Sequence, residues 1–191
     1  MLSRIANPIA KYLGALAVLL LAAPAAFSQL NSNTANITLT ATLGETLTIA
    51  ATPSAVNFVL AAGGVATGSA PVVITTTWVL GSGRANVVLD GYFASPTAAL
   101  TYAGPPVANI PTSSVLGQMT TGTPTTFTAF TQTAALGTAG AGLTLFTQPL
   151  TALNRASSRV DNLNLEIDIS ALPQLPAATY TGTLTLQAQA L

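Results

Sequence analysis

From Asn36 onward the chain alternates. Ile37, Leu39, Ala41 and Leu43 take every second position, with Asn36, Thr38, Thr40 and Thr42 around them. Past Gly44, Leu47 and Ile49 keep the same phase, and Glu45 is the one charge that interrupts it. A period of two turns one side of an extended chain to an apolar core and the other to water, so this pattern predicts strands with one wet face. It returns at Leu163, Leu165, Ile167 and Ile169, and again at Tyr180, Leu184, Leu186, Ala188 and Ala190. Between these runs, Ala55–Leu60 reads as a short strand after Pro53. Pro71–Leu80 and Ala85–Phe93 read as strands flanking Gly81-Ser82-Gly83-Arg84, a composition that predicts a hairpin loop. From Ser95 to Pro149 the pattern dissolves into Gly, Pro, Thr and Ala, with short strands expected near Thr125–Thr131 and Leu143–Phe146. Several short strands separated by turn residues predict an antiparallel sandwich or barrel.

Only the first stretch departs from this. Arg4 and Lys11 precede an apolar run, Leu13–Ala23, and Pro24 follows it. Ala26 and Ser28 stand where a signal peptidase reads small residues, so 1–28 is expected to be a cleaved signal helix. The run is shorter than the roughly 20 residues that span a bilayer. The expected organisation is a signal peptide at 1–28, an N-terminal extension at 29–43 and a sandwich domain at 44–191.

Composition then narrows the chemistry. The 191 residues include no Cys and no His, and the one Lys lies in the leader. Beyond the leader, three Arg face five Asp and Glu, a balance that does not neutralise phosphates, so no nucleic-acid partner is expected. Without Cys, stability has to come from packing and strand pairing. Without His, Cys or Lys there is no Ser-His pair, no thiolate and no Ser-Lys dyad. Carboxylates remain. Glu166 and Asp168 share a strand face about 7 Å apart, the spacing of an acid pair, although the same pattern makes a solvated face. Asn162, Asn164, Glu166 and Asp168 carry oxygens suited to Ca²⁺, but residues along a straight strand diverge. Trp78 is in phase with Val72, Ile74 and Leu80 and is expected in the core. The residues therefore predict a structural protein with no enzymatic activity, no cofactor, no metal and no small-molecule substrate.

Three stretches carry a resemblance. A signal segment leads at once into Asn36-Ile37-Thr38-Leu39-Thr40-Ala41-Thr42-Leu43, Ala55-Val56-Asn57-Phe58 follows, and the chain closes on Leu175-Pro176-Ala177-Ala178-Thr179-Tyr180 and the alternating run after it. In this order they resemble the spore-coat-protein-U-like secreted pilin-type domains, relatives of chaperone–usher pilus subunits. Gly44-Glu45 stands where many members of that family carry a Cys. The resemblance implies an Ig-like, pilin-like sandwich lacking one strand, assembled by donor-strand exchange. The donor set would be Ile37, Leu39, Ala41 and Leu43, and the receiving groove would be bordered by the closing strand at Leu184 and Leu186. The implied partners are further copies of the subunit, a periplasmic chaperone and an usher. The implied location runs from the periplasm to the surface of a bacterium. A self-contained secreted sandwich, an adhesin or matrix protein with Ile37–Ile49 as its own first strand, would show the same alternation.

Overall fold

Val72, Ile74, Thr76 and Trp78 occupy alternate positions along one strand, and all four are buried. Their β-branched and aromatic side chains suit a pleated surface packed on one side. The computed structural model describes residues 30–191, so the expected signal segment 1–28 lies outside the described residues. The chain divides into two units, Met1–Ala41 and Thr42–Leu191. In the first, residues 30–41 are exposed and carry no regular secondary structure.

The second unit holds the strands β1 (Thr46–Thr52), β2 (Val65–Thr67), β3 (Val72–Val79), β4 (Asn86–Tyr92), β5 (Leu100–Tyr102), β6 (Ala108–Ile110), β7 (Val115–Met119), β8 (Thr128–Ala129), β9 (Leu143–Pro149), β10 (Ala156–Asp168) and β11 (Thr185–Ala190). One sheet runs β1-β3-β10-β7-β8, with β2 also paired to β10, and a second runs β11-β4-β9. β5 and β6 form a separate pair, and every pairing is antiparallel. Among the described residues there is no α-helix, only a 3-10 turn at Thr112–Ser114. The protein is all-β, with two antiparallel sheets facing each other in a sandwich-like arrangement. The core lies between them, with Ile74, Trp78, Leu163 and Ile167 from one sheet against Val87, Leu89 and Leu145 from the other.

Several expectations are corrected here. Ile37–Leu43 forms no strand, since β1 begins only at Thr46, where β3 supplies a hydrogen-bonding partner. Ala55–Leu60 is irregular too. Asn57 directs its N–H to Ser69 Oγ (3.1 Å) and its carbonyl to Ser69 N–H (2.9 Å), which leaves these groups outside any ladder. Gly81-Ser82-Gly83-Arg84 is not a hairpin loop but an arch, because β3 and β4 belong to different sheets. A hairpin and an arch bury the same alternate residues, so alternation does not tell them apart. Arg155 selects the arch by donating to the carbonyls of Gly81 and Arg84. The expected strand at Thr125–Thr131 shrinks to β8.

One side of the sandwich is closed by Phe130. The ring is fully buried and meets Phe93 edge-on, with centroids 5.7 Å apart and planes at 85°. It lies between the sheets at Gly91 and Gly117, where a Cβ on either residue would come within 2.8 Å of it. Both glycines are there for close approach. On the same side, Thr123 N–H donates to Leu145 O at 3.2 Å and joins the loop after β7 to β9. A register shift in the β4–β9 pairing accompanies burial of both Leu145 and Phe146, neighbours that a regular strand would send to opposite faces.

Two acidic residues are buried. Asp161 accepts from Arg159 Nε (2.6 Å) and Nη2 (2.8 Å) and from Thr121 Oγ1 (2.6 Å). Arg159 also lies over the Phe146 ring at 4.6 Å and donates to Thr121 O at 2.7 Å. Asp90 accepts from Thr144 Oγ1 (2.6 Å) and Gly140 N–H (3.1 Å), which pins the 131–142 loop against β4 and β9.

Trp78 is 2% exposed and donates from Nε1 to Asn154 O at 2.8 Å. Trp78→Ala is expected to destabilise the domain by about 3–5 kcal/mol in urea unfolding, and a loss below ~1 kcal/mol would place the indole outside the cooperative core. Asp161→Ala leaves the Arg159 charge without its partner and is expected to cost about 3–5 kcal/mol. The paired replacement Arg159→Met with Asp161→Leu should cost much less, and equal losses in the single and double variants would refute the coupling.

Candidate functional site

The opposite side of the sandwich has no wedge. β1 ends one sheet and β11 ends the other, and each has a single neighbouring strand. Where β1 ends and β11 begins lies a groove of about 340 Å³. Ala51, Val56 and Phe58 line one wall, Leu184 and Leu186 the other, with Phe93, Val115, Leu165 and Ile167 deeper in. Leu47 and Ile49 on β1, and Leu184, Leu186, Ala188 and Ala190 on the closing run, pack against the core yet stay only half-buried. These six inward-facing apolar side chains are none of them fully covered.

One end of this gap is polar. Glu45, just before β1, accepts from Arg84 Nη2 at 3.0 Å and Nε at 3.3 Å, and its other oxygen accepts from Gly81 N–H at 2.6 Å. Arg84 Nη1 reaches across to Ala190 O on β11 at 3.2 Å. This clip ties the start of β1, the β3–β4 arch and the end of β11 together beside Leu47, Leu80 and Ala188. The Arg84 guanidinium first, and the Gly81 N–H second, hold the Glu45 carboxyl below its ordinary value of 4.5.

The residues singled out from sequence are placed as follows. Leu184 and Leu186 line the groove wall. Ile37, Leu39 and Leu43 are 84%, 90% and 85% exposed, and Ala41 is exposed as well. Glu166 and Asp168 lie on β10 opposite Thr67 and Val65, away from the inward face that carries Leu165 and Ile167. The Ser170 side chain first, and its backbone N–H second, keep Asp168 below its ordinary value of 3.8, so it is a local turn acceptor. Asn164 reaches Gln118 at 3.4 Å on the neighbouring strand. Among the described residues no three His, Cys, Asp or Glu side chains are grouped to hold a metal ion, and no helix there is long and apolar enough to cross a membrane.

Sequence reasoning missed Ala51, at the end of β1, and Val56 and Phe58, in the irregular segment after it, as groove wall. It also missed the roles of Glu45 and Arg84. The signal for Glu45 was present in its break of the apolar phase, and Arg84 stood out only as an arginine in a glycine-rich turn. The chain matches no family model, and no curated protein or solved structure matches it. The site is therefore read from its geometry.

A carboxyl held below its ordinary value on folding contributes stability above that value and loses it as pH falls through the folded one. The clip is thus intact at neutral pH and released in acid. The Glu45 carboxyl is expected to titrate below 4.5 by NMR and to move up toward that value in Arg84→Ala. A midpoint at or above 4.5 in the native chain would show that the clip does not form in solution.

Proposed function

We propose that this chain is an exported structural subunit that polymerises by strand exchange. The extension Gln29–Leu43 of one copy fills the groove of the next. The observation that carries this reading is the half-covered apolar groove at the start of β11, a strand with a free hydrogen-bonding edge. A strand laid along β11 completes its ladder with backbone hydrogen bonds and sends alternate side chains between the sheets. Ile37, Leu39, Ala41 and Leu43 have that alternation and are exposed. On this reading the fold is an Ig-like, pilin-like sandwich short of one strand, in keeping with the resemblance to spore-coat-protein-U-like domains.

Exchange of this kind is heterologous. Each copy gives one surface and receives on another, so the assembly stays open and grows as a fibre or coat. An uncovered edge beside an apolar groove invites aggregation, which is why a periplasmic chaperone would cover it until an usher delivers the subunit to the surface. The role is structural, without catalysis or cofactor. The closed-sandwich alternative takes Ile37–Ile49 as one continuous first strand. The start of β1 at Thr46 favours exchange over that alternative.

Leu39→Asp tests the proposal. A carboxylate carried into the groove has no partner there, and burying it costs far more than losing a methyl contact. The variant is expected to stay folded as a chaperone-bound monomer and to form no polymer that survives mild detergent without boiling. Unfolding of the isolated Leu39→Asp monomer would assign the segment to its own domain and refute exchange.

A further inference from the structure

A strand carrying Ile37, Leu39, Ala41 and Leu43 keeps its apolar face inward after slipping by two residues, because side-chain direction repeats at that interval. The receiving wall has the same ambiguity, with Leu184, Leu186, Ala188 and Ala190 at the same spacing. Apolar alternation alone therefore permits several registers. Something else has to decide where an inserted strand ends.

The backbone of β11 identifies it. Leu191 and Asn86 exchange both backbone hydrogen bonds, Leu191 N–H to Asn86 O at 2.9 Å and Asn86 N–H to Leu191 O at 3.2 Å. Alternation in an antiparallel pair then turns the backbone groups of Gln189, Gln187 and Thr185 toward β4, and those of Ala190, Ala188 and Leu186 toward the free edge. At Ala190 the free-edge acceptor is taken, by Arg84 Nη1 at 3.2 Å. Arg84 is itself braced, since its Nε and Nη2 both bond Glu45, whose second oxygen is held by the Gly81 N–H. The end of the edge is thus filled by a guanidinium with a fixed partner.

We propose that Arg84, braced by Glu45, is the stop that sets the register of strand exchange: the incoming segment of a second copy pairs with β11 as far as Ala188 and ends against the guanidinium. This rests on the strand-exchange reading and adds its specificity. A slip of two residues toward the clip would have to displace the Arg84–Ala190 bond and bring an Ile or Leu side chain against a charged group. A slip the other way leaves Ala188 without its backbone partner and part of the groove empty. Each displaced register is disfavoured for a different reason, and Arg84 is a positioning residue for the assembly.

Disulfide trapping tests this, helped by the absence of native cysteine. Thr185 is exposed and faces away from the groove, and Thr38, Thr40 and Thr42 are the corresponding outward positions of the extension. Thr185→Cys is combined in turn with Thr38→Cys, Thr40→Cys and Thr42→Cys in the full chain, assembled and then oxidised. Only directly opposed positions bring the Cα atoms within the roughly 4.4–6.8 Å that a disulfide accepts. One of the three pairs is expected to give nearly all the intermolecular disulfide. In Arg84→Ala, and in Glu45→Gln as a milder second variant, the disulfide is expected to spread to a position two residues away. An unchanged single pair in both variants, or several equal pairs in the native chain, would overturn the stop while leaving exchange standing. No disulfide-linked multimer from any pair in the native chain would overturn exchange itself, and the stop with it.

Discussion

A single aromatic ring determines which way this sandwich is closed. Phe130 lies between Gly91 of one sheet and Gly117 of the other, in a space neither residue could leave if it carried a Cβ. It stands just after β8, a strand of only two residues, and its N–H pairs with Val115 O at 3.0 Å. On that side the ring fills the space between the sheets, and Thr123 N–H ties the loop after β7 to β9. Among the described residues no aromatic plays this part between β1 and β11: the Glu45–Arg84 clip joins them at one end, and a groove opens at the other, beside Ala51 and Leu186. Interior close packing is thus complete where an aromatic fills the gap and incomplete at the groove, whose wall side chains stay half-buried.

Charge is used the same way, to join elements rather than to decorate a surface. Arg155 caps the arch, Arg84 links it to Glu45 and β11, and Arg159 binds Asp161 inside the sandwich under the Thr121 loop. Asp90 holds the 131–142 loop. Among the described residues this leaves Glu166 and Asp168 on the outer face of β10, so wetting of the exposed faces falls to Thr, Ser, Asn and Gln. Threonine suits that task because its methyl packs on a pleated sheet while its hydroxyl meets water.

These features bear together on the proposed assembly. Each of the two edge strands has an apolar inward side that its own sheet does not fully bury, and each lacks a second hydrogen-bonding neighbour. Hydrophobic cover and ladder completion are therefore wanted at one place, and a single extended segment would supply both. The Glu45–Arg84 clip sits where such a segment would end, so that the polar and apolar parts of the site are ordered along one line.

Much of the fold was legible in the amino-acid order. Alternation at Val72–Leu80, Leu163–Ile169 and Leu184–Ala190 was enough to predict strands, their wet and dry faces and a buried Trp78. Period-two patterning is a local property, read from neighbours two residues apart, and it carries over into any sheet the strand joins. What it does not contain is the partner. That Gly81–Arg84 is an arch, that Ala55–Leu60 stays out of the sheets, and that β7 forms in the Gly- and Thr-rich middle all depend on groups far away in the chain. Arg155 at the arch, Ser69 at Asn57 and Val115 at Phe130 each supply a hydrogen bond or a surface that local composition does not signal. The sequence by itself determined which side of each strand is apolar. Tertiary structure decided which strands are neighbours, and hence where the sandwich stays open, because pairing is settled by long-range hydrogen bonds and by the one ring that fits between two glycines.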